Sequence, residues 1–145
     1  MKKFDISTDS NCDLYADEIK DLDIYVGHLC YTLDDGNDIV EYLDKYTKYE
    51  EYVDFYNKLR SGIVSKTSIL SVQAHVEVFT EMAEKGIREV LHIAQSYGLS
   101  PTLDNANKAI EIVKEKYPDM HIVAIESSTT TVGEGLLVRL ACDMR

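Results

Sequence analysis

Four short apolar runs, each emptying into a turn crowded with hydroxyls, restrict this chain to few folds. Phe4-Asp5-Ile6 leads into Ser7-Thr8-Asp9-Ser10, and Gly62-Ile63-Val64 leads into Ser65-Lys66-Thr67-Ser68. Val90-Leu91-His92-Ile93-Ala94 leads into a turn running from Ser96 to Thr102, and Ile122-Val123-Ala124-Ile125 leads into Glu126-Ser127-Ser128-Thr129. Runs of this length and apolarity read as buried parallel strands. In open α/β sheets, ligands bind in the crevice beyond the carboxyl ends of such strands. The pattern predicts several loops on one sheet edge that offer neutral hydrogen-bond donors to a polar, anionic group.

The segments between the runs have helical periodicity. Ser71 is positioned as the N-cap of a helix whose seam is Val72, Val76, Phe79 and Ala83, with Gly86 as its stop. Ser100-Pro101 reads as an N-cap followed by proline at the first helical position. Leu103, Ala106, Ile110, Val113 and Tyr117 form the inner face of that helix, and Pro118 halts it. Strands alternating with helices imply βαβ units, so the predicted fold is α/β: a three-layer α/β/α arrangement on a mostly parallel sheet. The individual strands are placed at Lys3–Ser7, Ile24–Leu33, Glu89–Ala94 and His121–Ile125, with a weak acidic helix at Ala16–Leu22 and a last helix from Val132. Asp34-Asp35-Gly36-Asn37 is a hairpin-type turn, which folds Asp38–Tyr42 back as an antiparallel edge strand. Thr47 and Glu50 have capping-box spacing for a helix that Ser61-Gly62 ends. A stripe of Tyr42, Tyr46, Tyr49, Val53 and Tyr56 crosses that start, and reads either as packing with phenols at the rim or as a flexible lid over a lipid entrance.

The chain has 145 residues, 45% of them hydrophobic, which suits one domain with one ordinary core. Its 15 Lys and Arg against 26 Asp and Glu give a net charge of −11. That sign opposes binding to nucleic-acid phosphates or anionic lipid headgroups. No stretch approaches the ~20 apolar residues that cross a bilayer, and no long apolar run follows Lys2-Lys3, so membrane insertion and a signal peptide are not expected and the cytoplasm is the expected location. The final helix is still apolar and periodic at Leu136, Leu137, Leu140, Ala141 and Met144 where the sequence stops, so residues 1–145 are expected to be one domain of a longer protein, with a second domain after it.

Catalytic signals are thin. Cys12, Cys30 and Cys142 lack disulfide or zinc spacing, and the acidic setting of Cys12 should raise its pKa. His28, His75, His92 and His121 fall inside elements rather than in strand-end turns, as structural histidines do. There is no GxSxG elbow, HExxH or P-loop. Binding has better support. Helix capping accounts for single serines, but not for the surplus of Thr67 beside Ser68 and Ser96 before Ser100. Hydroxyls at helix N-termini suit a carboxylate or phosphate. The candidate ligand-binding residues are Thr8, Ser10, Thr67, Ser68, Ser96, Ser100, Thr102 and Ser127.

The ordered set Ser7-Thr8-Asp9-Ser10, Lys66-Thr67-Ser68-Ile69-Leu70-Ser71, Ser96-Tyr97-Gly98-Leu99-Ser100-Pro101-Thr102 and Glu126-Ser127 with Gly133 and Gly135 resembles the DegV family nearly end to end, over its N-terminal α/β domain. Members of that family are bacterial fatty-acid-binding proteins, some of which present their ligand to a fatty acid kinase. The resemblance implies that this chain binds a long-chain fatty acid, does no chemistry of its own, needs no cofactor or metal, and has a fatty acid kinase as partner. By the same resemblance Thr67 and Ser100 hydrogen-bond the ligand carboxylate. Two positions depart from the family motifs: Leu70 replaces a proline, and Pro101 replaces the glycine after Ser100. Proline lacks an N–H, so a family site that uses that donor would hold its anion less tightly here. The rival readings are a hydrolase or transferase using Ser100 or Ser10, and a phosphate or nucleotide binder at the same strand ends.

Overall fold

A computed structural model describes residues 2–145. In chain order its elements are β1 (Asp5–Asp9), α1 (Ala16–Asp21), β2 (Tyr25–Gly27), β3 (Cys30–Asp34), β4 (Ile39–Leu43), α2 (Tyr49–Arg60), β5 (Val64–Thr67), α3 (Val72–Glu84), β6 (Glu89–Ala94), α4 (Thr102–Lys116), β7 (His121–Glu126) and α5 (Val132–Met144). A 3-10 turn, Ser10–Cys12, follows β1 directly.

Four strands form a parallel sheet in the order β2-β1-β6-β7, so the chain reverses its winding direction between β1 and β6. The crevice at such a reversal is where doubly wound folds take their ligands. Phe79, Met82, Val90 and Val113 pack α3 and α4 on one face. Ile6, Ile93, Val138 and Ala141 join α5 to the other face, with Ile19 of α1 alongside. The helices cover both faces and the three-layer α/β expectation holds.

Two expectations about strands need correction. The run Ile24–Leu33 is not one strand: β2 belongs to the parallel sheet, while β3 turns away into a second sheet of order β4-β3-β5. Period-2 apolarity continues through the break and hides it. Gly27 marks the place, since a Cβ there would lie 2.6 Å from Leu70 Cδ2. The second correction concerns Gly62-Ile63-Val64 and the turn after it. Of these, Val64–Thr67 form β5, which pairs antiparallel with β3 (Tyr31 opposite Thr67, Asp34 opposite Val64) and not with the parallel sheet. Only three of the four hydroxyl-rich loops therefore lie on one sheet's carboxyl edge. Smaller shifts occur at the ends. β1 begins and ends two residues later than expected, and α4 begins at Thr102 with Pro101 before it rather than in its first turn. At α2 the reciprocal cap uses Glu51, not Glu50: its Oε2 accepts from Thr47 N (2.7 Å), Lys48 N (2.9 Å) and the Thr47 hydroxyl (3.2 Å). β4 is an antiparallel edge strand as expected, exposed along its length.

Candidate functional site

The carboxyl ends of β1 and β6 are laced together at the winding reversal. Asp9 accepts hydrogen bonds from Asn11 N and Asn11 Nδ2 on one oxygen and from Gln95 N on the other, and Asn11 Nδ2 also donates to Gln95 Oε1 at 2.8 Å. Burial pushes the Asp9 carboxyl above its usual range despite these donors. Behind it, Thr8 is fully buried, with its hydroxyl 2.9 Å from both Ile93 O and Glu134 Oε1. A hydroxyl has one hydrogen and a backbone carbonyl can only accept, so with Thr8 donating to Ile93 the contact with Glu134 is completed by a protonated carboxyl, whereas an ionised one would share the single Thr8 hydrogen with Ile93. The surroundings of Glu134 favour the protonated form, because burial first and the Asp9 charge second push its carboxyl up to about 8. Gly135 lets the first turn of α5 rest on the 3-10 turn, where a Cβ would lie 2.4 Å from Cys12 O.

Between this edge and the second sheet lies a cavity of about 780 Å³, within the ~300–1,000 Å³ range of small-molecule sites. Ser10, Asn11 and Cys12 contribute from the 3-10 turn after β1, His28 from the β2–β3 bend, and Tyr31 and Thr67 from the second sheet. α2 roofs it with Tyr49, Tyr52, Phe55 and Tyr56, although none of that helix's residues is buried. The aromatic stripe thus both packs and walls a cavity. Tyr42 stacks on Tyr31 with ring centroids 5.5 Å apart, Phe55 meets Tyr31 edge-on at 5.1 Å, and Tyr52 meets Tyr46 at 4.6 Å.

Of the eight candidate residues, Ser10 and Thr67 line this cavity. Ser10 Oγ accepts the Leu29 N–H at 3.1 Å, which pins the β2–β3 bend to the end of β1. Thr67 is exposed, with no hydrogen-bond partner for its hydroxyl among the described residues. The others lie off the cavity wall. Ser68 Oγ donates to Cys30 O, Ser96 Oγ donates to Glu126 Oε1 and accepts from Gly98 N, and Ser127 Oγ donates to Thr129 O. Thr102 is buried with its hydroxyl unpaired, Thr8 is committed to Ile93 and Glu134, and Ser100 is half-buried in the β6–α4 turn. Ser100 does not cap α4, since no side chain accepts from that helix's first turn. Leu70, at the family's proline position, is buried against Gly27, and Asn105 Nδ2 donates to its carbonyl.

Sequence reasoning treated His28 as structural. It does bond through Nδ1 to Asp44 O at 2.8 Å, but it also faces the cavity. His75 and His92 are buried in the core with rings 5.2 Å apart, His75 Nδ1 donating to Ser71 O and His92 Nδ1 meeting Ser7 Oγ at 3.0 Å. Burial pushes the pKa of both imidazoles below the usual range and drives that of His92 down to about 3. The Cys12 thiol is pushed up to about 12, by burial before the neighbouring carboxylates. Among the described residues no group of three or more His, Cys, Asp or Glu side chains could hold a metal ion, and no helix is long and apolar enough to cross a membrane.

Fold and cavity together define a doubly wound α/β protein with a ligand-sized, aromatic-walled space beside its winding reversal. The family model described as an uncharacterised protein of the DegV family matches residues 3–145. The chain belongs to the DegV family. A DegV domain-containing protein of Clostridium perfringens is 40% identical over the whole of this chain and 48% of its own length. A stearic-acid-binding protein of Eubacterium ventriosum superimposes with a TM-score of 0.78 at 28% identity, over 97% of this chain and 47% of that one. A DegV lipid-binding protein of Thermotoga maritima gives 0.83 at 26% identity, over 99% and 48%. The chain thus spans about half the length of the curated relatives it matches.

Proposed function

We propose that this domain binds a long-chain fatty acid, tail in the aromatic-walled cavity and carboxylate at neutral hydroxyls that include Thr67, and holds it for phosphorylation by a fatty acid kinase. The observation that carries the reading is the cavity of about 780 Å³ onto which Thr67 and Ser10 both open. The fatty-acid- and lipid-binding relatives support it. Each buried methylene contributes ~0.8 kcal/mol, so a long tail supplies on the order of 10 kcal/mol before ordering costs. The head group then needs recognition more than attraction. Neutral hydroxyls supply that and leave the carboxylate open to phosphoryl transfer, whereas a buried Arg would trap it.

In this reading the protein does no chemistry, needs no cofactor and works in the cytoplasm. Hydrolysis at Ser10 or Ser100 would require a base within reach. The Ser10 hydroxyl instead accepts a backbone N–H, and no histidine or carboxylate hydrogen-bonds to the Ser100 hydroxyl among the described residues. Ser100, the second carboxylate ligand implied by the motif, lies off this cavity's wall, so its contribution is tested separately. Native mass spectrometry of the purified full-length protein should show an added fatty-acid mass, and Thr67→Val should weaken palmitate binding about tenfold while Ser100→Ala is measured beside it. A protein that carries no lipid, ignores added palmitate and oleate, and is instead stabilised by nucleotides would overturn the reading.

A further inference from the structure

The second sheet places Thr67 and Tyr31 directly opposite each other on β5 and β3, and Tyr31 opposite Tyr42 on β4. Directly paired residues point to the same face, with Cβ atoms ~5 Å apart. Thr67 and Tyr31 accordingly share the face that looks into the cavity, and both line it together with Tyr46. The Tyr46 hydroxyl donates to the Tyr31 hydroxyl. Two phenols bring two hydrogens and their mutual bond uses one. The second has no other protein acceptor among the described residues, although Tyr31 is only 8% exposed. An oxygen with no hydrogens of its own would complete it, and a carboxylate offers only acceptors.

We propose that the Tyr31–Tyr46 phenol pair donates its unspent hydrogen to the ligand carboxylate beside Thr67, making the pair a positioning element for the head group. This rests on the fatty-acid reading and deepens it. The donor is already in place: Tyr42, Phe55 and Tyr46 surround the Tyr31 ring at 5.5, 5.1 and 6.2 Å, so little freedom is lost on binding. Among the described residues that line the cavity, Arg60 is the cationic one. It donates to Asn57 Oδ1 at the end of α2 that leads into Val64, and β5 then runs ~10 Å back to Thr67. Asp13 and Asp44 also border the cavity, so an arriving carboxylate is held against their charge and depends on every neutral donor near it.

The test measures binding of palmitate and of methyl palmitate, which keeps the tail but carries no charge, to the full-length protein by displacement of a fluorescent fatty-acid probe. Tyr31→Phe keeps the ring and removes the donor. It should weaken palmitate about tenfold and the ester less than threefold, because hydrogen bonds to charged acceptors are the stronger ones. Tyr46→Phe removes the polarising partner and should give the same acid-selective loss at about threefold, which keeps the proposal open to test if Tyr31→Phe does not fold. Equal losses for acid and ester would mean that the rings only pack, and unchanged palmitate affinity would mean that the hydrogen goes elsewhere; either overturns the proposal while leaving the fatty-acid reading intact. A parent protein that binds neither palmitate nor its ester removes both.

Discussion

Replacing Glu134 with Gln should stabilise the protein at neutral pH and destabilise it slightly in acid. The folded state holds Glu134 protonated, with a pKa of about 8 against a reference of 4.5. A carboxyl raised in this way contributes fully below pH 4.5, and its contribution is lost as pH rises towards 8, because the unfolded chain ionises and the folded one does not. At ~1.4 kcal/mol per pH unit, keeping the proton costs about 3 kcal/mol at pH 7. Glutamine is isosteric and needs no proton. Its amide can donate to Thr8 where the carboxyl did, and Thr8 keeps its bond to Ile93. The amide oxygen takes the place of Oε2, which has no partner among the described residues in the parent, and the second amide hydrogen is a new buried donor that costs about 1 kcal/mol. The net expectation is a gain of about 2 kcal/mol at pH 7, a loss of about 1 kcal/mol at pH 4.5, and a crossing between. Urea unfolding followed by circular dichroism at several pH values measures the difference directly. A variant less stable at every pH, with the parent's slope, would show that Glu134 is ionised in the folded protein and that the hydrogen-bond assignment at Thr8 is reversed.

Two further outcomes follow from the close contacts and the buried imidazoles. Gly135→Ala forces a Cβ to 2.4 Å from a backbone carbonyl that cannot step aside, whereas Gly27→Ala meets only the tip of Leu70. The first should cost about 3 kcal/mol and the second about 1 kcal/mol in denaturant unfolding, and equal costs would refute the distinction. His92 has its pKa depressed to about 3, so its contribution is present above its unfolded value near 6.5 and lost as pH falls from there. His92→Gln should shift the acid-unfolding midpoint down by about half a pH unit or more, and an unshifted midpoint would mean that another group governs acid unfolding.

What could be read in the sequence follows the range of the interactions involved. α3 carries its own cap, α3 and α4 carry their own stops and 3.6-residue seams, and β6 and β7 are short apolar runs bounded by turns, so local pattern located them to within a residue or two. The α2 start was ambiguous locally, because Thr47 with Glu50 and Lys48 with Glu51 both have cap spacing. Three donors converging on Glu51 decide it, and only the folded turn brings them together. The break at Gly27 and the departure of β5 into a second sheet depend on pairing between residues far apart in the chain, which alternation cannot report. For the same reason the cavity was legible only as a stripe of tyrosines. Its other walls come from the β1 edge and the β2–β3 bend. Ser10 and Thr67 were picked for lying after apolar runs, and both do face the cavity, yet Thr67 arrives there from a different sheet than its motif suggested. The buried Glu134 proton left a weak trace, an acidic residue between two glycines at a helix start, which reads as an ordinary first-turn carboxylate.

The division of the strands into two sheets separates two physical demands. The parallel layer, with its interlocked helices, carries the burden of folding. The stretch from His28 to Thr67 supplies the tyrosine roof and the Thr67 hydroxyl while burying little of itself. Substitutions there can lengthen, narrow or re-pitch the cavity at small expense to the frame, so its shape can change while the scaffold stays as it is.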